Sequence, residues 1–183
     1  MPASDAKRTH HAVFEYGGAV ATAIVRFKYA GRSDLAPRFS GIMAAAAALV
    51  APEVDLVVPV PLHPRRLVER GFDQAALLGA PIARRLGIEH APRALLRTRA
   101  TPPQASLDRT ARSANVAQAF RCSAPRRIVG RRVLLVDDVR TTGATLSACA
   151  EALRNAGAAD VRTLVLASRS FEEKSTKPPT ARD

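Results

Sequence analysis

Tryptophan is absent from this 183-residue chain, cysteine occurs only twice, and aromatic residues make up 4% of the sequence. So few aromatic residues argue against an RNA-binding module that recognises bases by stacking. Cys122 and Cys149 do not have the spacing of a metal site or a disulfide framework, and we therefore expect no zinc. The longest apolar run, Gly41–Ala51, is shorter than the roughly 18 residues that a membrane helix requires. The polar start, Met1–His11, lacks the apolar core of a signal peptide, so we expect a cytoplasmic protein without membrane insertion.

Acidic residues are also scarce. Lysine and arginine total 28 against 16 acidic residues, which gives a formal net charge of +12. Such a basic chain suggests a polyanionic partner such as nucleic acid. However, 24 of the basic residues are arginines, in a chain rich in alanine and proline, and a GC-rich genome would produce the same bias. Both interpretations remain open.

One stretch, Val133–Thr145, organises the predicted fold. Its apolar residues Val133–Val136 do not alternate with polar ones, which predicts a strand buried on both faces in a parallel α/β sheet. Asp137 and Asp138 follow, then a hydroxyl-rich turn with one glycine, and then a helical pattern closed by Gly157. Such a junction gathers backbone N–H groups at a helix N-terminus, which suits a phosphate. The carboxylates suit sugar hydroxyls or Mg²⁺, so the predicted ligand is a phosphorylated sugar.

Other protein classes also place two acids after an apolar strand. A response-regulator receiver needs most of a domain downstream, whereas only 38 residues follow Thr145. The chain contains neither the G-x-x-x-x-G-K-[ST] motif of a P-loop ATPase nor the G-x-G-x-x-G motif of a dinucleotide-binding fold. A purely structural strand end remains as the alternative, although buried acids without a ligand cost stability.

Two sets of residues resemble known families. The stretch Val133–Thr145 is similar to the motif that binds 5-phosphoribosyl-1-pyrophosphate (PRPP) in type I phosphoribosyltransferases. From about Phe14 to Ser168 the chain resembles the ComF family of competence proteins, through Pro59–Arg66, Arg70–Ala75, Gln104, Arg112–Val116 and Ala119-Phe120. The resemblance implies a type I phosphoribosyltransferase-like α/β fold, with a mainly parallel central sheet flanked by helices. The polar composition of the two ends predicts a flexible N-terminus, 1–13, and a disordered tail, 169–183, on either side of one domain over residues 14–168.

The resemblance implies roles for particular residues. Asp137 and Asp138 would be the catalytic residues and would hold the ribose 2′ and 3′ hydroxyls. The 5′-phosphate would bind to Thr141, Thr142, Gly143, Ala144 and Thr145. The pyrophosphate loop would contain Val60, Pro61, Leu62, His63, Arg65 and Arg66. Its arginines have a physical reason to be there, because guanidinium groups pair bidentately with phosphate oxygens. His63 is either a polar loop residue or a direct ligand.

The segment Arg97–Asn115 combines four arginines and two prolines with almost nothing to bury. Structureless loops of this length are uncommon in compact domains and are usually lids or disordered segments. By resemblance it would be a mobile lid over the reacting centre, containing Arg97, Arg99, Gln104, Arg109 and Arg112. A disordered connector and a single-stranded DNA contact are the alternatives.

The expected activity is that of a glycosyltransferase of the pentosyl class, which uses PRPP with Mg²⁺ and an unidentified acceptor. The competing hypothesis is a non-catalytic adaptor of DNA uptake that senses PRPP or binds single-stranded DNA. The chain departs from the family patterns in three places. Thr141 stands where purine-type enzymes have an acid, and Arg140 replaces an apolar or aromatic residue and points either at solvent or at an anion. The four-cysteine zinc module common at the start of ComF proteins is missing, which we attribute either to loss or to a start codon assigned too late.

The remaining patterns predict the other elements. The predicted helices are Gly17–Ala30, a second one capped by Ser33 or Asp34 that ends near Val50, and a third that opens at Arg70–Gln74, ends near Leu86 and is kinked or split at Pro81. The predicted strands are Asp55–Val60, Ala94–Leu96, Val161–Ala167, and a pair formed by Val116–Arg121 and Ile128–Val129. Prolines predict a stiff, extended loop after the first of these strands. Lys28 is expected to be a solvated charge and Tyr29 a core residue.

Overall fold

The computed structural model describes residues 10–29, 31–98 and 119–169. The predicted lid residues Arg99, Gln104, Arg109 and Arg112 lie outside these ranges, as do segments 1–9 and 170–183. Arg97 is the one predicted lid residue within them.

The described part of the chain is built around a parallel sheet. Its strands are β1 (His10–Glu15), β2 (Leu56–Pro59), β3 (Glu89–His90), β6 (Arg132–Arg140) and β7 (Asp160–Ser168). They lie in the order β1-β7-β6-β2-β3, and every neighbouring pair is parallel. Two further strands, β4 (Leu95–Arg97) and β5 (Phe120–Cys122), pair with each other in antiparallel fashion.

Helices cover both faces of the sheet. They are α1 (Gly18–Tyr29), α2 (Ala36–Val50), α3 (Pro64–Arg70), α4 (Gln74–Leu86), α5 (Pro125–Ile128) and α6 (Ala144–Asn155). Buried side chains of α1, α2 and α4 form one hydrophobic cluster with the sheet. Those of α5, α6, β4 and β5 form the other cluster. The predicted α/β fold, a parallel sheet flanked by helices, is therefore confirmed.

The two clusters explain why strand β6 has no polar alternation. Leu134 and Val136 belong to the cluster with α1, α2 and α4, whereas Val133 and Leu135 belong to the cluster with α6. All four side chains have no exposed surface. A strand covered on both faces by helices has no side on which a polar residue would be solvated, so its sequence is continuously apolar.

Two sequence-based boundaries are wrong. The N-terminal segment predicted to be flexible, 1–13, includes residues 10–13, which belong to β1 and pair in register with β7. The pairing predicted between Val116–Arg121 and Ile128–Val129 is not seen in their described residues, 119–121 and 128–129. Instead Phe120–Cys122 pairs with Leu95–Arg97, and Pro125–Ile128 is a short helix with proline in its first turn.

Two prolines, Pro64 and Pro81, lie in helices that they were predicted to exclude or interrupt. Pro64 does not prevent a helix but begins α3, because the first helical position needs no N–H donor. Pro81 does not split α4, which continues from Gln74 to Leu86 with Leu78 and Ile82 buried on either side of it. Packing on both sides of the proline outweighs the lost hydrogen bond.

The cap predicted for α2 is likewise absent. Neither Ser33 nor Asp34 makes a capping bond, because a 3₁₀ turn, Ser33–Leu35, precedes the helix. The Asp34 carboxylate accepts instead from the Arg32 guanidinium, at 2.7 Å from its Nε. Pro37 lies in the first turn of α2, as predicted.

Candidate active site

The candidate site lies between β2 and β6, where the order in which the chain adds strands to the sheet reverses. Strands β2 and β6 are neighbours, and the chain continues from β2 towards β3 on one side and from β6 towards β7 on the other. In open α/β sheets, ligands bind in the crevice at the carboxyl ends of such strands. A cavity of about 330 Å³ occupies this position and is lined by residues that follow β1, β2, β6 and β7.

Asp137 and Asp138 stand side by side in this cavity. Asp138 is buried, with 6% of its surface exposed, and its backbone N–H donates to the Asp137 carboxylate at 2.8 Å. Desolvation of the half-buried Asp137, reinforced by the adjacent Asp138 carboxylate, raises the pKa of Asp137. Two acids that share a poorly solvated site resist ionising together, which is common where charge is used for binding or catalysis.

Lys28 is the residue that the sequence interpretation placed wrongly. Its ammonium group lies 2.9 Å from Asp138 Oδ1, so it is not a solvated charge but the counter-ion of the site. The helical pattern contained a usable signal. Lys28 follows buried Ile24 by four positions in α1, and residues four apart lie on the same face of a helix.

The predicted 5′-phosphate residues surround a small cavity of about 50 Å³ at the start of α6. Gly143 has a φ of 80°, a left-handed conformation that favours glycine, and directly precedes the helix. Thr142 Oγ1 accepts from the Ala144 N–H at 3.4 Å. The N–H groups at the start of a helix have no carbonyl partner within the helix, and they suit an anion.

Arg140 lines the same small cavity, next to Thr141–Thr145. Its Nε donates to Ser168 Oγ at 3.1 Å, which ties the guanidinium to the end of the neighbouring strand β7. Of the two orientations that the sequence left open, this arrangement places Arg140 beside the proposed anion site.

The structure divides the predicted pyrophosphate loop into two parts. Val60, Pro61, Leu62 and Arg66 line the main cavity. His63 and Arg65 are not among its lining residues. His63 Nδ1 accepts from the Arg65 N–H at 3.2 Å and caps α3, while the exposed Arg65 side chain pairs with Glu69.

The Arg70–Gln74 segment is partly structural. Gly71 ends α3 in the left-handed conformation, and the Phe72 ring packs 5.8 Å from that of Phe27 in the core. Asp73 caps α4 through the Ala76 N–H at 3.0 Å, and its second oxygen accepts from the Leu62 N–H at 3.3 Å. This carboxylate therefore anchors the loop after β2, and burial raises the pKa of Asp73.

Arg70 and Gln74 form a second group within the segment. Arg70 donates to Gln74 Oε1 at 3.0 Å and to the Tyr29 hydroxyl at 3.1 Å, and its guanidinium lies 4.8 Å from the centroid of the Tyr29 ring. Tyr29 is 70% exposed, so the expectation that it belongs to the core is wrong. Sequence reasoning did not place Tyr29 in this group because Tyr29 meets Arg70 only through a tertiary contact.

Arg97 reaches the main cavity from β4. Its guanidinium lies 5.5 Å from the centroid of the Phe120 ring on the paired strand β5, and desolvation lowers the pKa of Arg97. The site thus combines a carboxylate pair with several cations, a composition that suits a ligand bearing both hydroxyl and phosphate groups.

Neither a metal cage nor a membrane helix is found in the described ranges. Residues 10–29, 31–98 and 119–169 contain no group of three or more histidine, cysteine, aspartate or glutamate side chains placed to hold a metal ion. Within those ranges, no helix is both long and apolar enough to span a bilayer. A divalent ion at the carboxylate pair would need most of its oxygen ligands from a bound substrate.

Comparisons with known proteins agree with this architecture. Residues 73–181 match the family described as phosphoribosyl transferase domain. The DNA utilization protein YhgH of Escherichia coli (strain K12) is 35% identical over 161 residues, which cover 84% of this chain and 69% of that protein. Competence protein ComFC of Streptococcus pneumoniae is 31% identical over 158 residues, covering 86% and 67% of the two chains.

Two solved structures share the fold. One is the glutamine PRPP amidotransferase from B. subtilis complexed with ADP and GMP, with a TM-score of 0.52 and 23% identity. The other is described as the allosteric regulatory enzyme of purine biosynthesis, with a TM-score of 0.54 and 21% identity. Each match covers 77% of this chain but only 30% and 29% of the respective structures, so it shows the fold alone. Taken with the curated relatives, these matches show that the chain belongs to the phosphoribosyl transferase domain family and, within it, to the ComF group of competence and DNA-utilization proteins.

Proposed function

We propose that the chain is a phosphoribosyltransferase of the cytoplasm that binds PRPP with Mg²⁺ and transfers the phosphoribosyl group to an acceptor. The observation that supports this proposal most strongly is that a carboxylate pair and a loop rich in N–H groups lie together at the carboxyl ends of the strands. The adjacent carboxylates of half-buried Asp137 and buried Asp138 lie beside the loop Thr141–Thr145, at the switch point of the sheet. Family membership adds to this support.

Each part of PRPP has a suitable partner in this arrangement. The N–H groups and hydroxyls of Thr141–Thr145 would hold the 5′-phosphate, and Arg140 would add a positive charge beside it. Asp137 and Asp138 would accept hydrogen bonds from the 2′ and 3′ hydroxyls. Arg66, half-buried at the cavity wall, would pair with the pyrophosphate.

The same groups suit the charges that develop during transfer. The bond between C1 of ribose and the pyrophosphate oxygen breaks, and its electron pair leaves with pyrophosphate. A lone pair of the acceptor forms the new bond to C1, and the acceptor gives up a proton. Positive charge therefore grows on the ribose beside Asp137 and Asp138, which contribute preorganised electrostatic stabilisation. Mg²⁺, bound together with PRPP, supplies positive charge at the leaving group.

Thermal unfolding with PRPP and Mg²⁺ tests the binding step. A ligand at about 100 times its dissociation constant stabilises the fold by about 2.7 kcal/mol. We expect the double variant Asp137→Asn, Asp138→Asn to lose this shift. A charge-matched control, Asp34→Asn with Glu53→Gln, changes exposed carboxylates outside the cavity and should keep it. An undiminished shift in the first variant would remove both aspartates from the binding site.

A second candidate function is a non-catalytic adaptor of DNA uptake that senses PRPP or binds single-stranded DNA. The names of the relatives, which refer to DNA utilization and competence, and the net charge of +12 favour it. Release of pyrophosphate that depends on an added acceptor separates the two functions. DNA binding by an adaptor would be mainly electrostatic and would weaken steeply with salt.

A further inference from the structure

A second cavity, of about 380 Å³, adjoins the candidate site. It opens between the end of α1 and helix α3, and is lined by Lys28, Tyr29, Gly31, Arg66, Glu69 and Arg70. Four of these residues also line the main cavity: Lys28, Tyr29, Arg66 and Arg70. The two spaces are therefore neighbours, as the two substrates of a group transfer must be.

Some of the charged side chains around the second cavity are paired with an opposite charge, and others are not. Lys28 is paired with Asp138, and Glu69 is paired with Arg65 at 3.2 Å. In the part of the chain that the structure describes, Arg66 and Arg70 form no ion pair with a carboxylate. Both are half-buried, so solvent screens them less than it screens a surface arginine. The cavity therefore presents net positive charge that suits an anion.

Arg70 is held in place by neutral groups. It donates to Gln74 Oε1 and to the Tyr29 hydroxyl, and its guanidinium lies over the Tyr29 ring. These contacts orient the planar guanidinium and leave its charge uncompensated. A fixed guanidinium plane matches a carboxylate through two parallel hydrogen bonds.

Gln74 supplies an independent indication that a ligand is missing. It lines the main cavity and is only 3% exposed. Because its Oε1 accepts from Arg70, its Nε2 is directed elsewhere, and this nitrogen has no hydrogen-bond partner among residues 10–29, 31–98 and 119–169. A buried amide donor without a partner costs roughly 1–3 kcal/mol, and such a group in a native structure calls for an explanation. An oxygen of a bound molecule would provide the partner.

We infer that the space bounded by Tyr29, Arg70 and Gln74 is the acceptor subsite, and that it takes an aromatic acid, a planar ring that bears a carboxylate. This inference rests on the proposed phosphoribosyl transfer, since it names the class of the second substrate. The carboxylate would pair with Arg70 and accept from Gln74 Nε2. The exposed Tyr29 ring lies beside the bound acid. An uncharged base would leave the Arg70 charge uncompensated, and it should bind less well.

The chain offers a direct optical probe of this space. It contains no tryptophan and only two tyrosines, Tyr16 and Tyr29, so a Tyr16→Phe background makes Tyr29 the sole intrinsic fluorophore. Titration with nicotinate should change the Tyr29 emission. Nicotinamide, which differs in having an amide in place of the carboxylate, should bind at least about tenfold more weakly, a difference of about 1.4 kcal/mol.

Two variants and one control identify the contacts. Arg70→Gln removes the cation, and the isosteric Gln74→Glu places a carboxylate beside Arg70 that compensates its charge. Each should weaken nicotinate binding at least about tenfold, and Gln74→Glu covers the case in which Arg70→Gln does not fold. Arg85→Gln, an exposed arginine on the same helix as Gln74, should leave binding unchanged.

The PRPP thermal shift, measured in the same proteins, separates the possible failures. A normal shift in both site variants together with lost nicotinate binding supports the acceptor subsite. If both variants lose PRPP and nicotinate binding in parallel, or if inorganic pyrophosphate displaces nicotinate, Arg70 belongs to the leaving-group site and the inference is overturned. If nicotinamide binds as tightly as nicotinate, or if nicotinate does not bind, the inference about the acceptor is overturned. Neither result contradicts the proposed binding of PRPP. A wild-type protein without a PRPP shift overturns the proposed function, and the acceptor assignment with it.

Discussion

The charged side chains at the amino ends of the parallel strands are paired with opposite charges, whereas many of those at the carboxyl ends are not. At the amino ends of the strands, acids and arginines are matched. Asp55 pairs with Arg132 at 2.8 Å, Glu89 pairs with Arg127 and Arg131, and Asp160 pairs with Arg162 at 3.1 Å. At the carboxyl ends, by contrast, Asp137 lies beside Asp138, and Arg66 and Arg70 are among the arginines that form no ion pair with a carboxylate of the described residues.

The pKa values record the same difference. Hydrogen bonds from Arg132 lower the pKa of Asp55 to about 2, whereas desolvation raises the pKa of both Asp73 and Asp137. The Asp55 carboxylate, at the amino ends, is thus stabilised in its charged form by the fold itself. Asp73 and Asp137, at the carboxyl ends, are destabilised in that form, a pattern that is common in binding and catalytic sites.

The largest expected effect is a difference between two aspartate-to-asparagine substitutions, one at the carboxyl ends of the strands and one at the amino ends. Asp138→Asn should lower turnover or PRPP affinity at least about 100-fold, because a buried carboxylate facing the developing positive charge is lost. Asp160→Asn, the same change on β7 at the amino end, should leave both unchanged. Titration of PRPP against the two purified variants makes the comparison. Equal losses in both variants would mean that the difference between the two ends has no bearing on function.

The next effect concerns pH. Because the pKa of Asp137 is raised in the folded state, the contribution of Asp137 to stability is most favourable below the ordinary carboxyl range and is lost as pH rises towards the raised value. Asp137→Asn cannot ionise, so the ligand-free variant should become more stable than wild type as pH rises. The gain should be about 1.4 kcal/mol for each unit by which the pKa is raised. Urea denaturation at a series of pH values measures it, and a difference that does not change with pH would contradict the assigned cause.

The smallest effect is expected at the amino end. Asp55→Asn removes the partner of Arg132 and should lower the melting temperature by about 2–4 °C at neutral pH while leaving PRPP binding intact. The lowered pKa of Asp55 reverses the sign of the pH dependence. Its contribution to stability is present above the ordinary carboxyl pKa and is lost as pH falls towards about 2. The two melting curves should therefore converge in acid.

The sequence was most informative where one stretch determined both structure and chemistry. The apolar run Val133–Val136, the following acids and the glycine before α6 are neighbours in the chain, so their arrangement follows from local rules. The C-terminal left-handed Gly157 and the capping Asp73 were predictable for the same reason.

The features that sequence reasoning missed depend on contacts between distant segments. Lys28 meets Asp138 across 110 positions, and Arg70 meets Tyr29 across 41. Strand β4 finds its partner in β5, beyond the segment that separates them, and the polar His10 and His11 obscured β1. No local pattern specifies such pairings, because each depends on how the helices pack on the sheet.

The parallel direction of β1 and β7 has a practical consequence for attaching other molecules to this protein. Strand β1 starts at the amino ends of the strands. A fusion partner placed directly before His10 therefore joins the fold at the opposite end of the sheet from the main cavity. Strand β7 ends at the other edge, where Arg169 itself lines that cavity. A purification tag or surface tether attached directly after β7 therefore joins the fold beside the main cavity, whereas one attached directly before β1 joins it at the opposite ends of the strands.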